Sequence, residues 1–284
     1  RVIRAGGPWV GEVAGAAKKI RPLRGSHLFF ARDRLPVTDC VAAAHPRDRR
    51  PVYAFPWAGA TCVGTTDLDH GEPLSREPRA TREEMDYLLE FLAHEFPDRR
   101  LGRDDVIATQ AGIRPVVPSG KGLNPSQESR DHSVWHHDGE VLVAGGKLTT
   151  FRLVALDALA AAGLIDAAEH KRARRTKDRL FRHPIAFPDR LGLPTAPLPE
   201  GVALIEAIAW TLDHEMVGHL DDLLARRLRF LPARPGSLNS LLATIEPLCR
   251  DRLGWDAARW RIEVARLVEI VDDVYGLPRG ERAA

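Results

Sequence analysis

Cysteine is scarce in this 284-residue chain, and the three that occur, Cys40, Cys62 and Cys249, lie far apart without a CxxC pair. That excludes a disulfide framework and a thiolate zinc cluster, and it fits a reducing compartment in which the thiols are small core residues. No apolar run approaches the ~20 residues that a membrane-spanning helix needs. Lysine is sparse too: arginine supplies 35 of the 41 basic residues, a bias that a GC-rich coding sequence explains without any ligand. The net charge of +2 excludes nucleic acid as a default partner, because phosphate-backbone binding shows as a concentrated basic patch on a clearly basic domain. The densest basic stretch, residues 171–183, reads as a solvated helix face or a linker.

Familiar chemical signatures are missing as well. No GxGxxG follows a strand, so any dinucleotide must be gripped mostly by something else. The phosphate-loop pattern fails at Lys147, which is followed by leucine and has no first glycine where that loop needs one. There is no GxSxG elbow, and Ser26, Ser119 and Ser133 stand in no nucleophile context. No metal is expected: His214 and His219 resemble a metalloprotease pair, but their i, i+5 spacing turns the second about 500° round a helix, off the face of the first. The chain has neither an initiator methionine nor a signal-peptide layout. Its first ten residues read as a strand entering a glycine-rich turn and then a helix, as if it began in mid-fold.

What is present is an ordinary globular composition, 44% hydrophobic and 28% charged, in a chain long enough to bury about three quarters of its unfolded surface. The most informative run is Gly145-Gly146-Lys147-Leu148-Thr149-Thr150-Phe151-Arg152. Val141-Leu142-Val143-Ala144 reads as a strand leading into the two glycines, and Leu153, Leu156 and Leu159 continue as an amphipathic helix. The unpaired N–H groups at such a helix start can face an anion or a cofactor edge.

Residues 20–117 are strand-rich with one helix inserted. Residues 52–57 and 60–65 flank Ala58-Gly59 as a hairpin. Thr81 and Glu84 form a capping box for a helix whose stripe is Met85, Leu88, Leu89, Leu92 and Phe96. A strand at 106–110 leads through Ala111-Gly112 to Ile113-Arg114-Pro115, a polar loop covers 118–130, and residues 133–136 pair with 140–144 across His137-Asp138-Gly139. Residues 183–199 are proline-rich. Helices are expected over 202–212, 214–228 and 238–253 and after Asp256, together a plausible separate bundle. Arg114, Arg130 and Lys147 are positive groups in loops or at element ends near the Gly-Gly junction, and two guanidiniums with an ammonium can hold a small phosphorylated substrate. The local alternative pairs Arg130 with Asp131 or Glu128 and leaves Arg114 bracing a loop.

Taken together, Gly6-Gly7-Pro8-Trp9, Arg24-Gly25-Ser26-His27, Val63-Gly64-Thr65-Thr66-Asp67, Gly112-Ile113-Arg114-Pro115 and the Gly145 to Arg152 run resemble the FAD-dependent glycerol-3-phosphate dehydrogenases in order and approximate spacing. The likeness continues through His214-Glu215-Met216 and Leu224-Ala225-Arg226-Arg227 to Leu253-Gly254-Trp255-Asp256 and so covers nearly the whole chain. It implies a mixed α+β and α/β fold. A partial FAD-binding domain of the D-amino-acid-oxidase-like type would comprise residues 1–19 and 131–170, and a β-rich substrate domain residues 20–130. A linker at 171–199 and a helical domain at 200–284 would complete it.

The resemblance also implies FAD as cofactor and oxidation of sn-glycerol 3-phosphate to dihydroxyacetone phosphate, with electrons passed to quinone or another acceptor. Arg114 and Lys147 would be catalytic, and Arg114, Arg130, Lys147 and His27 would contact the substrate. Gly145, Gly146, Lys147, Leu148, Thr149 and Gly7 would face the flavin. A cytoplasmic protein is implied, compatible with peripheral attachment to the inner face of the membrane and with a homodimer. Family members open with a strand–GxGxxG–helix unit for the ADP half of FAD. The chain is therefore expected to be the C-terminal portion of such a protein, with little or no dehydrogenase activity by itself. The competing readings are a related flavin-dependent amine or amino-acid oxidase, whose substrate carboxylate Arg114 and Arg130 would hold equally well, and a non-catalytic binding subunit.

Overall fold

In the computed structural model, residues 1–11, 20–120, 122–176, 201–233 and 235–278 are described. The strands are β1 (Ile3–Arg4), β2 (Arg21–Ala31), β3 (Val41–Ala44), β4 (Pro51–Trp57), β5 (Ala60–Gly64), β6 (Leu68–Asp69), β7 (Val106–Val116), β8 (His132–His137) and β9 (Glu140–Gly145). The longer helices are α1 (Arg82–Glu95), α2 (Phe151–Ala161), α3 (Ala167–Arg175), α4 (Gly201–His214), α5 (Leu238–Leu253) and α6 (Ala257–Ile270). They fall into two compact units. One is Arg1–Gly25, Asp67–Pro78 and Gly112–Arg182, and the other is Ser26–Thr66, Arg79–Ala111 and His183–Ala284.

The first unit is built on a three-stranded sheet in the order β1-β9-β8, with β1 parallel and β8 antiparallel to β9. The apolar run of β9 is explained by burial on both faces, since successive side chains of a strand point to opposite sides. Leu142 and Ala144 pack with Val10, Ile20, Val117 and Trp135, whereas Val141 and Val143 pack with Ile3, Val134, Val154, Ala158 and Ala162. The β8–β9 turn uses Asp138 and Gly139 at φ 46° and 77°, the left-handed pair that a two-residue hairpin needs. Helix α2 lies on the sheet by its small residues: Ala158 is its buried residue, and Leu153, Leu156 and Leu159 are only half-buried. The leucine stripe expected from sequence is therefore not the packing face, because alanines let helix and sheet approach more closely.

Asp157 on α2 accepts hydrogen bonds from Arg174 at 2.5 Å, His170 at 2.7 Å and His132 at 2.9 Å, tying α2 to α3 and β8. Burial pushes its carboxyl up, but these three partners more than reverse that and hold it at about 2. A carboxyl lowered on folding contributes stability above its ordinary value near 3.8, and that contribution is lost as pH falls from about 4 to about 2. Because the group is a quarter exposed, screening reduces the effect to about 1 kcal/mol. Asp157→Asn is expected to lower the melting temperature at pH 7 and to shrink the further loss between pH 4 and pH 2, as followed by circular dichroism. An unchanged acid limb would count against this assignment.

In the second unit β3, β4, β5 and β2 pair antiparallel in that order, with β4 and β5 joined at Ala58-Gly59, where φ is 49° and 86°. Leu28, Phe30, Val52, Ala54 and Val63 form one core with Met85, Tyr87, Leu88, Phe91 and Leu92 of α1. The capping box at Thr81 and Glu84 is made. The buried stripe of α1 is rotated from the expected one: Tyr87 and Phe91 enter it, while Leu89 and Phe96 pack at its margin.

The helices after residue 200 build a core from Ile208, Leu220, Leu223, Leu224, Leu241, Ile245, Trp260 and Leu267, which also takes in Ala58 and Ala60 of the hairpin. Their core is therefore shared with strand residues. The helix expected over 214–228 is interrupted. Met216 turns to φ 48°, and helical structure resumes only at Leu220, with a π-helical turn over Asp222–Arg227. The strand expected over 106–110 runs on to residue 116, and 171–175 belong to α3. From residue 177 to 199 the expected linker lies outside the described residues. Among the described residues no helix is long and apolar enough to cross a membrane.

Candidate functional site

The site begins with one carboxylate and two guanidiniums in the first unit. Asp67, 9% exposed, stands just before β6, which pairs with β2 through Leu23↔Asp69 and Arg24↔Leu68. Strand β7 carries Arg114, and the loop over residues 118–130 brings back Arg130. Arg114 donates to Asp67 Oδ1 at 3.3 Å and Arg130 donates to Oδ2 at 2.5 Å. Both arginines are about a third exposed, and two positive charges face one negative charge. A guanidinium carries five donors in a planar fork, the geometry that holds an anion through paired hydrogen bonds. Gly25 makes room for the arrangement, since a Cβ there would stand within the Arg114 guanidinium.

The local pairing considered for Arg130 is replaced by this long-range one. Asp131 accepts from Ser129 Oγ at 3.0 Å, and Glu128 is engaged by Arg21 at 3.0 Å and by the Ser119 N–H at 3.0 Å. Arg114 and Arg130 are thus brought together, with Asp67 between them. The sequence offers Asp67 only as the last residue of the Val63-Gly64-Thr65-Thr66-Asp67 motif.

The other candidates lie apart from these contacts. Lys147 is exposed; its N–H donates to Thr150 Oγ1 at 3.2 Å, and its carbonyl accepts from the same hydroxyl at 3.0 Å. Gly145 and Gly146 take φ of 75° and 84°. A Cβ on Gly145 would meet the Asp131 carbonyl at 2.6 Å, and one on Gly146 would meet Val154 at 3.1 Å, so the chain's own packing requires both glycines. Gly7 has φ 57° with open space where a Cβ would be. It stands three residues beyond Arg4, and Gly145 three beyond the Arg4 partner Leu142, so both turns leave the same carboxyl end of two parallel strands. Ligands of α/β sheets characteristically bind at that end. Leu148 is 88% exposed, Thr149 is exposed, and Trp9 and Phe151 are half exposed, an unusual amount of apolar surface for two short turns. His27 belongs to the second unit, where its ring covers Gly64.

The zinc-like histidine pair is separated. The His214 ring stacks on Trp210, whereas His219 Nδ1 lies 2.9 Å from Glu263 Oε1. His219, Asp221 and Glu263 place ligand-type atoms within 4.8 Å of one another. Arginines already occupy these carboxylates: Arg259 pairs with Glu263, and Arg226 and Arg266 pair with Asp221.

Residues 1–155 match the family of FAD dependent oxidoreductases. The chain is 34% identical over 163 residues to the aerobic glycerol-3-phosphate dehydrogenase of Staphylococcus aureus strain USA300, with 55% of this chain and 29% of that protein aligned; the protein of strain NCTC 8325 gives the same values. The aligned region thus spans less than a third of those relatives' length. Among solved structures, the glycerol-3-phosphate dehydrogenase from Bacillus halodurans complexed with FAD superposes with a TM-score of 0.64 at 22% identity, covering 99% of this chain and 64% of that one. At that identity the likeness concerns the fold, and it agrees with the expected mixed sheets followed by helices. With more than half of its length matched to the family, the chain belongs to the FAD-dependent oxidoreductases.

Proposed function

We propose that this chain carries the substrate-anion pocket and the flavin-facing turns of an enzyme that oxidises sn-glycerol 3-phosphate to dihydroxyacetone phosphate. The observation that carries the reading is the convergence of Arg114 and Arg130 on Asp67. Two forked cations around one carboxylate suit a phosphate dianion better than a neutral polyol. In this reading Arg114 and Arg130 anchor the phosphate, and Arg114 also faces the oxygen that becomes a carbonyl. Lys147 supplies positive charge between substrate and cofactor.

FAD fits the turns at Gly7 and at 145–149. Open backbone, exposed apolar side chains and the first N–H groups of a helical turn meet there, as the edge of a ring that becomes negative on reduction requires. FAD held there would supply the oxidant for the two electrons and two protons that leave glycerol 3-phosphate as its C2 alcohol becomes a ketone. Fixing the phosphate orients C2, so the chain's contribution is placement. Quinone as electron acceptor, a peripheral position on the inner face of the cytoplasmic membrane and a homodimer belong to the same proposal. So does the division into a flavin part at residues 1–19 and 131–170, a substrate part at 20–130 and helices from 200.

Ligand competition separates this reading from an amine or amino-acid oxidase. Glycerol 3-phosphate should displace inorganic phosphate from the chain at least about tenfold more effectively than glycine or alanine, the margin that a second charge-assisted contact gives. An amino acid that competes as well as the phosphate ester would transfer the assignment to the carboxylate-binding oxidases.

A further inference from the structure

We propose that Arg21 is a positioning residue that holds Arg130 and Asp67 in register without touching either. Its guanidinium grips Asp69 with both arms, Nε to Oδ1 at 2.6 Å and Nη2 to Oδ2 at 2.8 Å. The remaining nitrogen, Nη1, donates to the Leu123 carbonyl at 2.7 Å and to Glu128 Oε1 at 3.0 Å. Glu128 in turn accepts the Ser119 N–H at 3.0 Å with its other oxygen. One side chain thus fastens the chain at Leu123 and at Glu128, and joins both to β6.

The sequence spacing gives the fastening its meaning. Asp69 lies two residues after Asp67, and Glu128 lies two residues before Arg130. Arg21 therefore sets the separation of the two segments that meet, two residues away on each, as the Arg130–Asp67 pair. The hydrogen bonds from Arg21 hold the Asp69 carboxyl below its usual range. Glu128 is lowered too, first by the Ser119 N–H and then by Arg21. A lysine cannot replace this fork, because an ammonium is a point charge without the planar geometry that serves two carboxylates and a carbonyl at once.

The inference rests on the proposed function only for what the arginine pair binds. Arg21→Gln should weaken glycerol 3-phosphate binding about tenfold by titration calorimetry, with Arg21→Lys recovering little of it. In an Arg130→Ala background the same substitution should change affinity less than about twofold, since Arg21 acts through Arg130. An undiminished effect in that background, or no effect in the parent, overturns the proposal. Should Arg21→Gln fail to fold, Asp69→Asn removes one arm of the clamp at an exposed group and should reproduce the loss in part; no loss there overturns the proposal. If the parent chain does not bind glycerol 3-phosphate, the function reading fails by itself. The positioning claim is then decided by the side-chain N–H resonance of Arg130, which should move in Arg21→Gln and would stay in place if Arg21 were only a surface residue.

Discussion

Replacing Arg114 with alanine should weaken glycerol 3-phosphate binding by about 10- to 150-fold, the value of one charge-assisted contact of about 1.5–3 kcal/mol. The melting temperature should stay nearly constant, because Arg114 is about a third exposed and Asp67 keeps Arg130 as a partner. Arg114→Lys should recover little, since an ammonium cannot hold two oxygens in one plane. Gly25→Ala provides a second route to the same result while Arg114 itself remains. The added Cβ would occupy the position of the guanidinium, so the arginine must swing away from Asp67. Titration calorimetry on the three variants checks the set. An Arg114→Ala chain that binds the ester as tightly as the parent would remove Arg114 from the pocket.

Glu84→Ala should be the most destabilising single change among the polar residues considered, at about 4 kcal/mol, or about 8–16 °C in thermal midpoint. Glu84 is 1% exposed and saturated with donors. Ser26 Oγ donates to Oε1 at 2.8 Å and Thr66 Oγ1 at 2.7 Å, while the Thr81 N–H at 2.9 Å and hydroxyl at 3.1 Å serve Oε2. Truncation removes half of the capping box and takes the carboxylate acceptor from the buried hydroxyls of Ser26 and Thr66, at about 1–3 kcal/mol for each bond lost, while Thr66 Oγ1 still accepts the Ser26 N–H at 2.9 Å. Glu84→Gln keeps the shape and one carbonyl acceptor, so it should cost about half as much. Differential scanning calorimetry of the two variants measures both steps. A loss under about 1 kcal/mol for the alanine would show that water replaces the lost carboxylate as acceptor.

Local structure was largely legible because its causes are local. The capping box of Thr81 and Glu84, the turns at Ala58-Gly59 and Asp138-Gly139, the strand into Gly145-Gly146 and the helix after Asp256 each follow from a few neighbouring residues. The same residues did not reveal their distant partners. Glu84 could be read as a cap but not as the acceptor for Ser26 and Thr66, and Arg130 offered Asp131 and Glu128 before it offered Asp67. Those pairings depend on which strands lie side by side, and that is fixed by burial over the whole unit.

The break at Met216 was hidden for a different reason. Apolar residues recur at helical spacing on both sides of it, and no glycine or proline occupies the position where the backbone turns left-handed. In α2 the periodic leucines do not mark the packing face, because the small size of the alanines is what allows the close contact. Of the candidate site residues, Arg114 and Arg130 came from their type and place in loops or at element ends, and their connection to Asp67 came only from the structure. Arg21 gave no sequence signal beyond being an arginine at the start of a strand.

The central claim is that Arg114 and Arg130 form a phosphate-ester site, and phosphorus NMR tests it most directly. Glycerol 3-phosphate is titrated with the parent chain and with the Arg114→Ala, Arg130→Ala double variant, and glycerol competition serves as the neutral control. The account predicts that the ester's phosphorus signal broadens and shifts with the parent, is untouched by excess glycerol, and stays at its free position with the double variant. An equal response from the double variant would place the phosphate elsewhere on the chain and contradict the account.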